Sequence, residues 1–213
     1  RLLGLCPKRG IPVFDASLRK YIDPPTNRVA SWFVGKGISA DQITLVGFFV
    51  GLMAVPALWL GYPLLALGFI AFNRCADGLD GAVARQTKPT DRGGFLDICL
   101  DFFFYSAIPF GFALMDPAQN ALAACFLIFS FIGTGASFLA YAIFAEKRGI
   151  STDLRGQKSL YYLGGLTEGF ETIVFLVLAC LFPSAFWWMA IVFGGLAWIT
   201  AATRVVAGWR MFR

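Results

Sequence analysis

The sequence has no histidine and few charged residues. Of its 213 residues, 58% are hydrophobic and 15% are charged, whereas soluble domains average about 25% charged residues. The lack of histidine excludes Ser-His-Asp and Cys-His nucleophilic catalysis and imidazole-ligated zinc. The mean hydropathy of +0.68 indicates an integral membrane protein. Because histidine is absent, any acid, base or metal chemistry has to come from carboxylates.

Cysteine is scarce and follows no recognisable spacing. The five cysteines are an odd number, and most lie inside apolar stretches, where cysteine behaves as a small hydrophobic residue. We therefore expect neither a disulfide framework nor a cysteine metal site. Residues 1–39 contain no long apolar run, so we also expect no signal peptide.

Long apolar runs fill most of the remaining chain. Because one helical crossing of a bilayer needs about 20 residues, they predict an all-α membrane protein with six transmembrane helices in one bundle. We predict that residues 40–213 form this domain. The predicted crossings are residues 40–61, 63–86, 93–115, 119–145, 159–182 and 186–209.

Among the loops, only those on one side of the predicted bundle contain basic residues. The loops near residues 62, 116 and 183 contain no Lys or Arg. The positive-inside rule therefore places both termini at the cytoplasmic side. In such a protein the net charge of +5 reflects topology and does not indicate a nucleic-acid partner. The basic loop residues on the terminal side are Lys88, Arg92, Lys147, Arg148, Arg155 and Lys158.

Residues 1–39 are predicted to form a cytoplasmic arm. Because proline suits the first turn of a helix, Pro24-Pro25 is expected to begin a helix with Val29, Trp32 and Phe33 on one side. We predict that this amphipathic helix lies in the membrane interface. The alternative is a soluble arm folded against the cytoplasmic face.

Four aspartates lie in apolar surroundings near that face. Asp77 and Asp80 are three residues apart and Asp97 and Asp101 are four apart, so each pair shares one face of a helix. The two helices are antiparallel, which puts both pairs at similar depth. Oxygen ligands without histidine or cysteine suit Mg²⁺, Mn²⁺ or Ca²⁺, and we predict one or two such ions.

Glycine and arginine accompany these aspartates. Gly81 lies beside Asp80, Gly93 opens the next helix, and Arg85 lies about two turns from Asp77 on the same face. Glycine lets a substrate approach the backbone. A cation together with metal-binding carboxylates is typical of a phosphate or pyrophosphate site.

The pattern D-x2-D-G-x2-A-R-x7-G-x3-D-x3-D resembles the signature of the CDP-alcohol phosphotransferase family, and six crossings with the motif over the second and third match that family's architecture. The segment from Ser39 to Thr44 is similar to the family's usual Pro-Asn-x-x-Thr start of the first crossing, with Ala40 and Asp41 in place of Pro and Asn. The motif positions are Asp77, Asp80, Gly81, Ala84, Arg85, Gly93, Asp97 and Asp101.

The resemblance implies an enzyme in which an acceptor hydroxyl attacks the β-phosphorus of a CDP-linked alcohol and CMP is released. It implies that all four aspartates bind Mg²⁺ or Mn²⁺, with Asp97 and Asp101 catalytic and Asp101 as general base. It also implies a homodimer. The residues that it assigns to the CDP moiety are Thr44, Asp80, Gly81, Ala84 and Arg85.

The motif does not identify the donor alcohol or the acceptor. We favour phosphatidyl transfer from CDP-diacylglycerol to a small alcohol in phospholipid synthesis, at a bacterial inner membrane. One alternative is transfer of a CDP-choline or CDP-ethanolamine headgroup to a lipid alcohol. From another class, the aspartates would line a cation transporter.

Residues outside the motif are candidates for the acceptor site. Glu168 and Glu171 lie deep in the fifth predicted crossing and would bind a hydroxyl or amine headgroup, or else form an ion pair with Arg74 or Arg204. Arg148 and Arg155 would hold a phosphate at the cytoplasmic entrance, or else serve only as topology-determining charges.

Overall fold

The computed structural model describes residues 14–149, 167 and 169–213. Over these ranges the ordered secondary structure is helical, apart from turns. A short 3₁₀ turn at Pro183–Ala185 precedes the last helix. The helices are α1 (Phe14–Gly35), α2 (Ala40–Leu52), α3 (Ala54–Trp59), α4 (Pro63–Gln86), α5 (Asp91–Met115), α6 (Pro117–Lys147), α7 (Gly169–Leu181) and α8 (Phe186–Met211).

The first predicted crossing consists of two consecutive helices, α2 and α3. Helix α2 begins with a capping box in which the Ser39 hydroxyl accepts from the Gln42 amide and the Gln42 side chain accepts from the Ser39 amide, at 3.3 and 2.9 Å. The helix is interrupted at Met53, because Pro56 has no amide hydrogen to donate to the Leu52 carbonyl.

Four stretches of the described chain are long and apolar enough to cross a membrane: Ala40–Trp59, Asp91–Met115, Pro117–Lys147 and Pro183–Met211. Helix α7 is apolar but shorter. Helix α4 has 24 residues, about 36 Å at 1.5 Å per residue. Its low hydropathy comes from charged residues, among them Asp77 and Asp80, that belong to the candidate site.

Small residues bring the helices into close contact. A Cβ atom at Gly47 of α2 would lie 2.5 Å from the Ala76 Cβ of α4, and one at Gly51 would lie 2.7 Å from the Asn73 Cβ. A Cβ atom at Gly135 of α6 would lie 2.6 Å from the ring of Phe102 of α5. One at Gly133 would lie 3.0 Å from the ring of Trp198 of α8. Glycines therefore allow close contacts of α6 with both α5 and α8.

Helices α6 and α8 run parallel. At one end, Arg148 donates hydrogen bonds to the carbonyls of Met211 and Phe212, at 2.9 and 2.6 Å. At the other end, the Gln119 amide nitrogen donates to the Ser184 carbonyl, at 3.3 Å. Arg148 and Ser184 therefore lie at opposite ends of this helix pair.

The expected start of α1 at Pro24-Pro25 is wrong, because the helix begins at Phe14 and contains both prolines. The fixed φ of proline, about −65°, fits a helix, and the cost is the loss of two amide donors. Its later part docks on the end of α4. There, the Ser31 hydroxyl donates to the Gln86 side chain and Gln86 donates to the Asn27 carbonyl, both at 2.9 Å.

Candidate active site

Three helices meet at the candidate site. Thr44 lies in the second turn of α2, Asp77 and Asp80 in the second half of α4, and Asp97 and Asp101 in the first half of α5. Thr90 caps α5 by accepting a 3.0 Å hydrogen bond from the Gly93 amide. The antiparallel course of α4 and α5 thus brings both aspartate pairs to one end of the bundle, as the sequence predicts.

Three of the four aspartates form a cluster with the geometry of a metal site. Asp77, Asp97 and Asp101 each offer a carboxylate oxygen, and these atoms lie within 4.8 Å of one another. One ion can bridge oxygens at this separation, because Mg²⁺ and Ca²⁺ bind ligands at about 2.0–2.6 Å. The donor set consists of oxygens alone, so the residues fit a hard divalent cation such as Mg²⁺ or Mn²⁺.

Asp80 lines the same pocket and is the most enclosed of the four, with 6% of its surface exposed. Its carboxylate accepts a hydrogen bond from the Thr44 hydroxyl, at 2.5 Å. A hydroxyl that donates to a carboxylate stabilises its charged form. Thr44 therefore fixes Asp80 at the junction of α2 and α4.

Arg74 completes the cluster, whereas its position in the sequence indicated only an ion pair with Glu168 or Glu171. Its Nη2 donates to Asp101 Oδ1 at 2.8 Å, and its Nη1 lies 3.8 Å from Asp77 Oδ2. The spacing of three residues between Arg74 and Asp77 puts both on one face of α4. That spacing was the signal that could have placed Arg74 in the site.

The pocket between α2, α4 and α5 contains all four aspartates together with Thr44 and Arg74. Asn73 and Gly47 also line the pocket, and the Asn73 side-chain amide donates a 3.0 Å hydrogen bond to the Gly47 carbonyl. The full lining is Thr44, Gly47, Phe48, Asn73, Arg74, Asp77, Asp80, Asp97, Leu100 and Asp101.

The residues predicted to receive the CDP moiety lie beside this pocket. A Cβ atom at Gly81 would lie 3.2 Å from Arg85 Nη1. The Arg85 side chain thus lies over Gly81, and Arg85 itself is exposed at the end of α4. Ala84 is half-buried next to them. All three residues lie within five positions of Asp80 on α4.

Asp41 stands where the family pattern has asparagine, and it forms an ion pair. Its Oδ2 lies 2.5 Å from Arg92 Nη2. A Cβ atom at Gly93 would lie 3.1 Å from Asp41 Oδ1 and 3.2 Å from the Thr90 hydroxyl. The lack of a side chain at Gly93 therefore lets the first turns of α2 and α5 approach each other.

The site motif is part of a longer family pattern. The sequence profile of CDP-alcohol phosphatidyltransferases matches residues 38–206, which is most of the chain. The chain belongs to this family. It is accordingly an integral membrane enzyme that transfers a substituted phosphate group in phospholipid synthesis, and the motif prediction is confirmed.

Two relatives resemble this transferase over most of their own length. The inner membrane protein YnjF of Escherichia coli (strain K12) is 52% identical over 92% of the chain and 96% of its own length. The archaetidylinositol phosphate synthase of Pyrococcus horikoshii is 29% identical over 89% of the chain and 94% of its own length.

Two solved structures share the fold. Phosphatidylinositol phosphate synthase (PgsA1) of Mycobacterium tuberculosis with CDP-DAG bound superposes with a TM-score of 0.71, at 20% identity, over 86% of this chain and 93% of that one. The same enzyme in complex with manganese and citrate gives a TM-score of 0.69 at 21% identity, over 86% of this chain and 88% of that one.

Of the four predicted acceptor residues, Glu171 and Arg148 belong to the described part of the transferase. Glu171 is exposed in the first turn of α7, and Arg148 donates to carbonyls at the end of α8. Glu168 and Arg155 lie outside the described residues. Within the described part of the chain, Arg74 contacts Asp101 and Asp77. The alternative ion pair of Glu168 with Arg74 or Arg204 lies outside the described residues.

Proposed function

We propose that the protein transfers a phosphatidyl group from CDP-diacylglycerol to the hydroxyl of a small polar alcohol, with release of CMP. The observation that carries the proposal is the convergence of Asp77, Asp97 and Asp101 within 4.8 Å, beside the Gly81–Arg85 segment. Carboxylates and a nearby cation are the groups that a metal-bound pyrophosphate needs.

The relatives support a lipid-linked donor and suggest the class of acceptor. The solved PgsA1 structure contains CDP-DAG. Both it and the Pyrococcus enzyme are named as synthases of inositol phosphate lipids. A phosphorylated polyol is therefore the first acceptor to test, ahead of unphosphorylated alcohols.

The proposed chemistry uses the residues in distinct roles. Asp77, Asp80, Asp97 and Asp101 would hold Mg²⁺ or Mn²⁺, which supplies charge neutralisation on the pyrophosphate. The acceptor oxygen forms a bond to the β-phosphorus, the bond from that phosphorus to the bridging oxygen breaks, and CMP leaves. Asp101 takes the hydroxyl proton.

The remaining binding roles follow the position of each residue beside the pocket. Gly81 and Ala84 leave room for the nucleotide, Arg85 pairs with its phosphate, and Thr44 holds Asp80. Glu168, Glu171, Arg148 and Arg155 remain the candidates for the acceptor site.

We also propose that the enzyme crosses the membrane six times, with α4 and the region of α7 as crossings in addition to the four apolar stretches. The parallel course of α6 and α8 supports a crossing between them. Both termini and the site would face the cytoplasm. Residues 1–39 would form an arm with α1 in the interface, residues 40–213 the catalytic domain, and two copies a homodimer.

The test is CMP release by the purified protein. We expect release from CDP-diacylglycerol with Mg²⁺ and a phosphorylated polyol, and no release after chelation by EDTA. A parallel arm supplies CDP-choline or CDP-ethanolamine with diacylglycerol. Release in that arm alone would overturn the choice of donor. Cation flux into proteoliposomes without CMP release in either arm would instead indicate a transporter.

A further inference from the structure

The end of α4 that carries Arg85 is held in place by α1. The Ser31 hydroxyl of α1 donates a 2.9 Å hydrogen bond to Gln86 Oε1, and Gln86 Nε2 donates to the Asn27 carbonyl, also at 2.9 Å. Gln86 is the last residue of α4. These two hydrogen bonds therefore tie the final turn of α4 to α1, one residue after Arg85.

Apolar packing supports the same contact. Ala30 of α1 is fully buried in a cluster that includes Ala82 and Val83 of α4. Because a helix has 3.6 residues per turn, the end of α4 has two opposite faces. The face towards α1 consists of Ala82, Val83 and Gln86, and the other consists of Gly81, Ala84 and Arg85. Helix α1 thus packs behind the segment proposed to receive the CDP moiety.

The outer face of α1 carries aromatic, aliphatic and basic side chains. Val29 and Trp32 are 48% and 59% exposed, and the Lys36 amine lies 5.9 Å from the Trp32 ring centre. Arg28 is exposed on the same side of the helix. Residues 24–40 contain no Asp or Glu, so this face carries only positive charge. Such a face is typical of a helix that lies on a bilayer with anionic lipids.

We propose that the outer face of α1 binds anionic phospholipid headgroups and that Gln86 transmits this contact to Arg85, so that nucleotide affinity depends on membrane charge. A helix held on the bilayer keeps Asn27 and Ser31 in place, and these two residues fix the final turn of α4. Arg85 is then already ordered when the nucleotide arrives, which lowers the entropic cost of binding. The role of Arg85 rests on the proposed function.

The test compares CDP binding in two bilayers, by isothermal titration calorimetry with Mg²⁺ on the protein in nanodiscs. One bilayer is phosphatidylcholine, and the other also contains phosphatidylglycerol. The double variant Arg28→Gln/Lys36→Gln removes the basic charges of the outer face. In the anionic bilayer we expect the wild type to bind CDP about fivefold more tightly than this variant, because the basic residues are attracted only to an anionic surface. In phosphatidylcholine the two should bind CDP equally.

The variant Gln86→Leu separates lipid binding from its effect on the nucleotide. In this background the substitutions at Arg28 and Lys36 should no longer change CDP affinity, because the link between α1 and α4 is cut. Phosphatidylglycerol should still slow hydrogen exchange of residues 27–36, since α1 still binds the bilayer. As a control, Arg210→Gln removes an exposed charge of α8 and should bind CDP like the wild type in both bilayers.

Equal CDP affinity of the wild type and the double variant in the anionic bilayer would overturn the proposal. An undiminished effect of the double substitution in the Gln86→Leu background would overturn it as well. If Gln86→Leu does not fold, Ser31→Ala takes its place with the same expected result. If the lipid effect on CDP affinity is present but no CMP is released, the proposed transfer fails while this proposal stands. If CMP is released without any lipid effect on CDP affinity, the reverse holds.

Discussion

The Thr44 hydroxyl orients the Asp80 carboxylate inside the bundle by donating a hydrogen bond to it. Asp80 is 6% exposed, and the Thr44 hydroxyl lies 2.5 Å from its Oδ2. A carboxylate in such a place needs donors, because an unsatisfied buried acceptor costs the full loss of hydration. The family pattern at the start of α2 therefore serves the aspartates of α4.

We expect Thr44→Val to destabilise the protein by about 1–3 kcal/mol, the cost of an unsatisfied buried polar group, and to weaken Mn²⁺ binding because Asp80 loses its orientation. Thermal unfolding in detergent and Mn²⁺ titration measure the two effects. Thr44→Ser keeps the hydroxyl and should restore both. Equal behaviour of the valine and serine variants would show that the hydrogen bond is unimportant.

Asp101 has two partners in the proposed mechanism, Arg74 and the acceptor hydroxyl. We expect Asp101→Asn to lower kcat about a thousandfold, within the range that a positioned base contributes, while CDP-diacylglycerol still binds. Turnover and equilibrium binding of the nucleotide donor separate the two properties. Asp91→Asn, an exposed aspartate of the first turn of α5, is the control. Full activity of Asp101→Asn would contradict its role as base.

At the scale of elements, the contact between α2 and α4 sets the geometry of the site. Gly47 and Gly51 are four residues apart on α2 and face Ala76 and Asn73 of α4. This spacing of small residues lets two helices pack closely in a membrane. It also brings the Gly47 carbonyl within 3.0 Å of the Asn73 amide, which in turn supports Arg74.

We expect Gly47→Ala to destabilise the protein by about 1–3 kcal/mol, the usual cost of overpacking, because the new Cβ would lie 2.5 Å from the Ala76 Cβ. It should also lower turnover, since the helices have to separate. Gly68→Ala on α4 is the matched control, because a Cβ there meets nothing within 4 Å. Thermal unfolding and CMP release compare them, and identical melting of both variants would contradict the prediction.

At the scale of the whole molecule, the site lies at one end of the helices, and that end carries the basic residues. Lys88 lies between α4 and α5, Arg92 lies in the first turn of α5, and Lys147 and Arg148 lie at the end of α6. The opposite turns, near residues 62, 116 and 183, have no basic residue. This distribution predicts that the aspartates open towards the cytoplasm.

Reporter fusions test this orientation. We expect alkaline phosphatase to be inactive when fused after Arg213 and active when fused after Asp116, because the enzyme matures only outside the cytoplasm. Green fluorescent protein at the same two positions should give the reverse pattern. Active phosphatase after Arg213 would mean that the C-terminus and the aspartate site face the other side.

The sequence predicts local features, because these depend on the spacing of residues along a single helix. The intervals between Asp77, Asp80, Asp97 and Asp101 fix which face of its helix each residue occupies. The apolar runs predicted the positions of α5, α6 and α8 to within a few residues. The sequence did not predict the interruption at Met53 or the continuation of α1 through Pro24, because proline was expected only at the start of a helix.

What the sequence by itself determined is the membrane class, the family and the carboxylates that would bind metal, because these follow from composition and from spacing on single helices. Only the tertiary structure decided that Arg74 joins Asp101 and that Thr44 holds Asp80. Such contacts link residues 27 and 36 positions apart and depend on how closely α2, α4 and α5 pack. That closeness arises from glycines that carry no chemistry of their own.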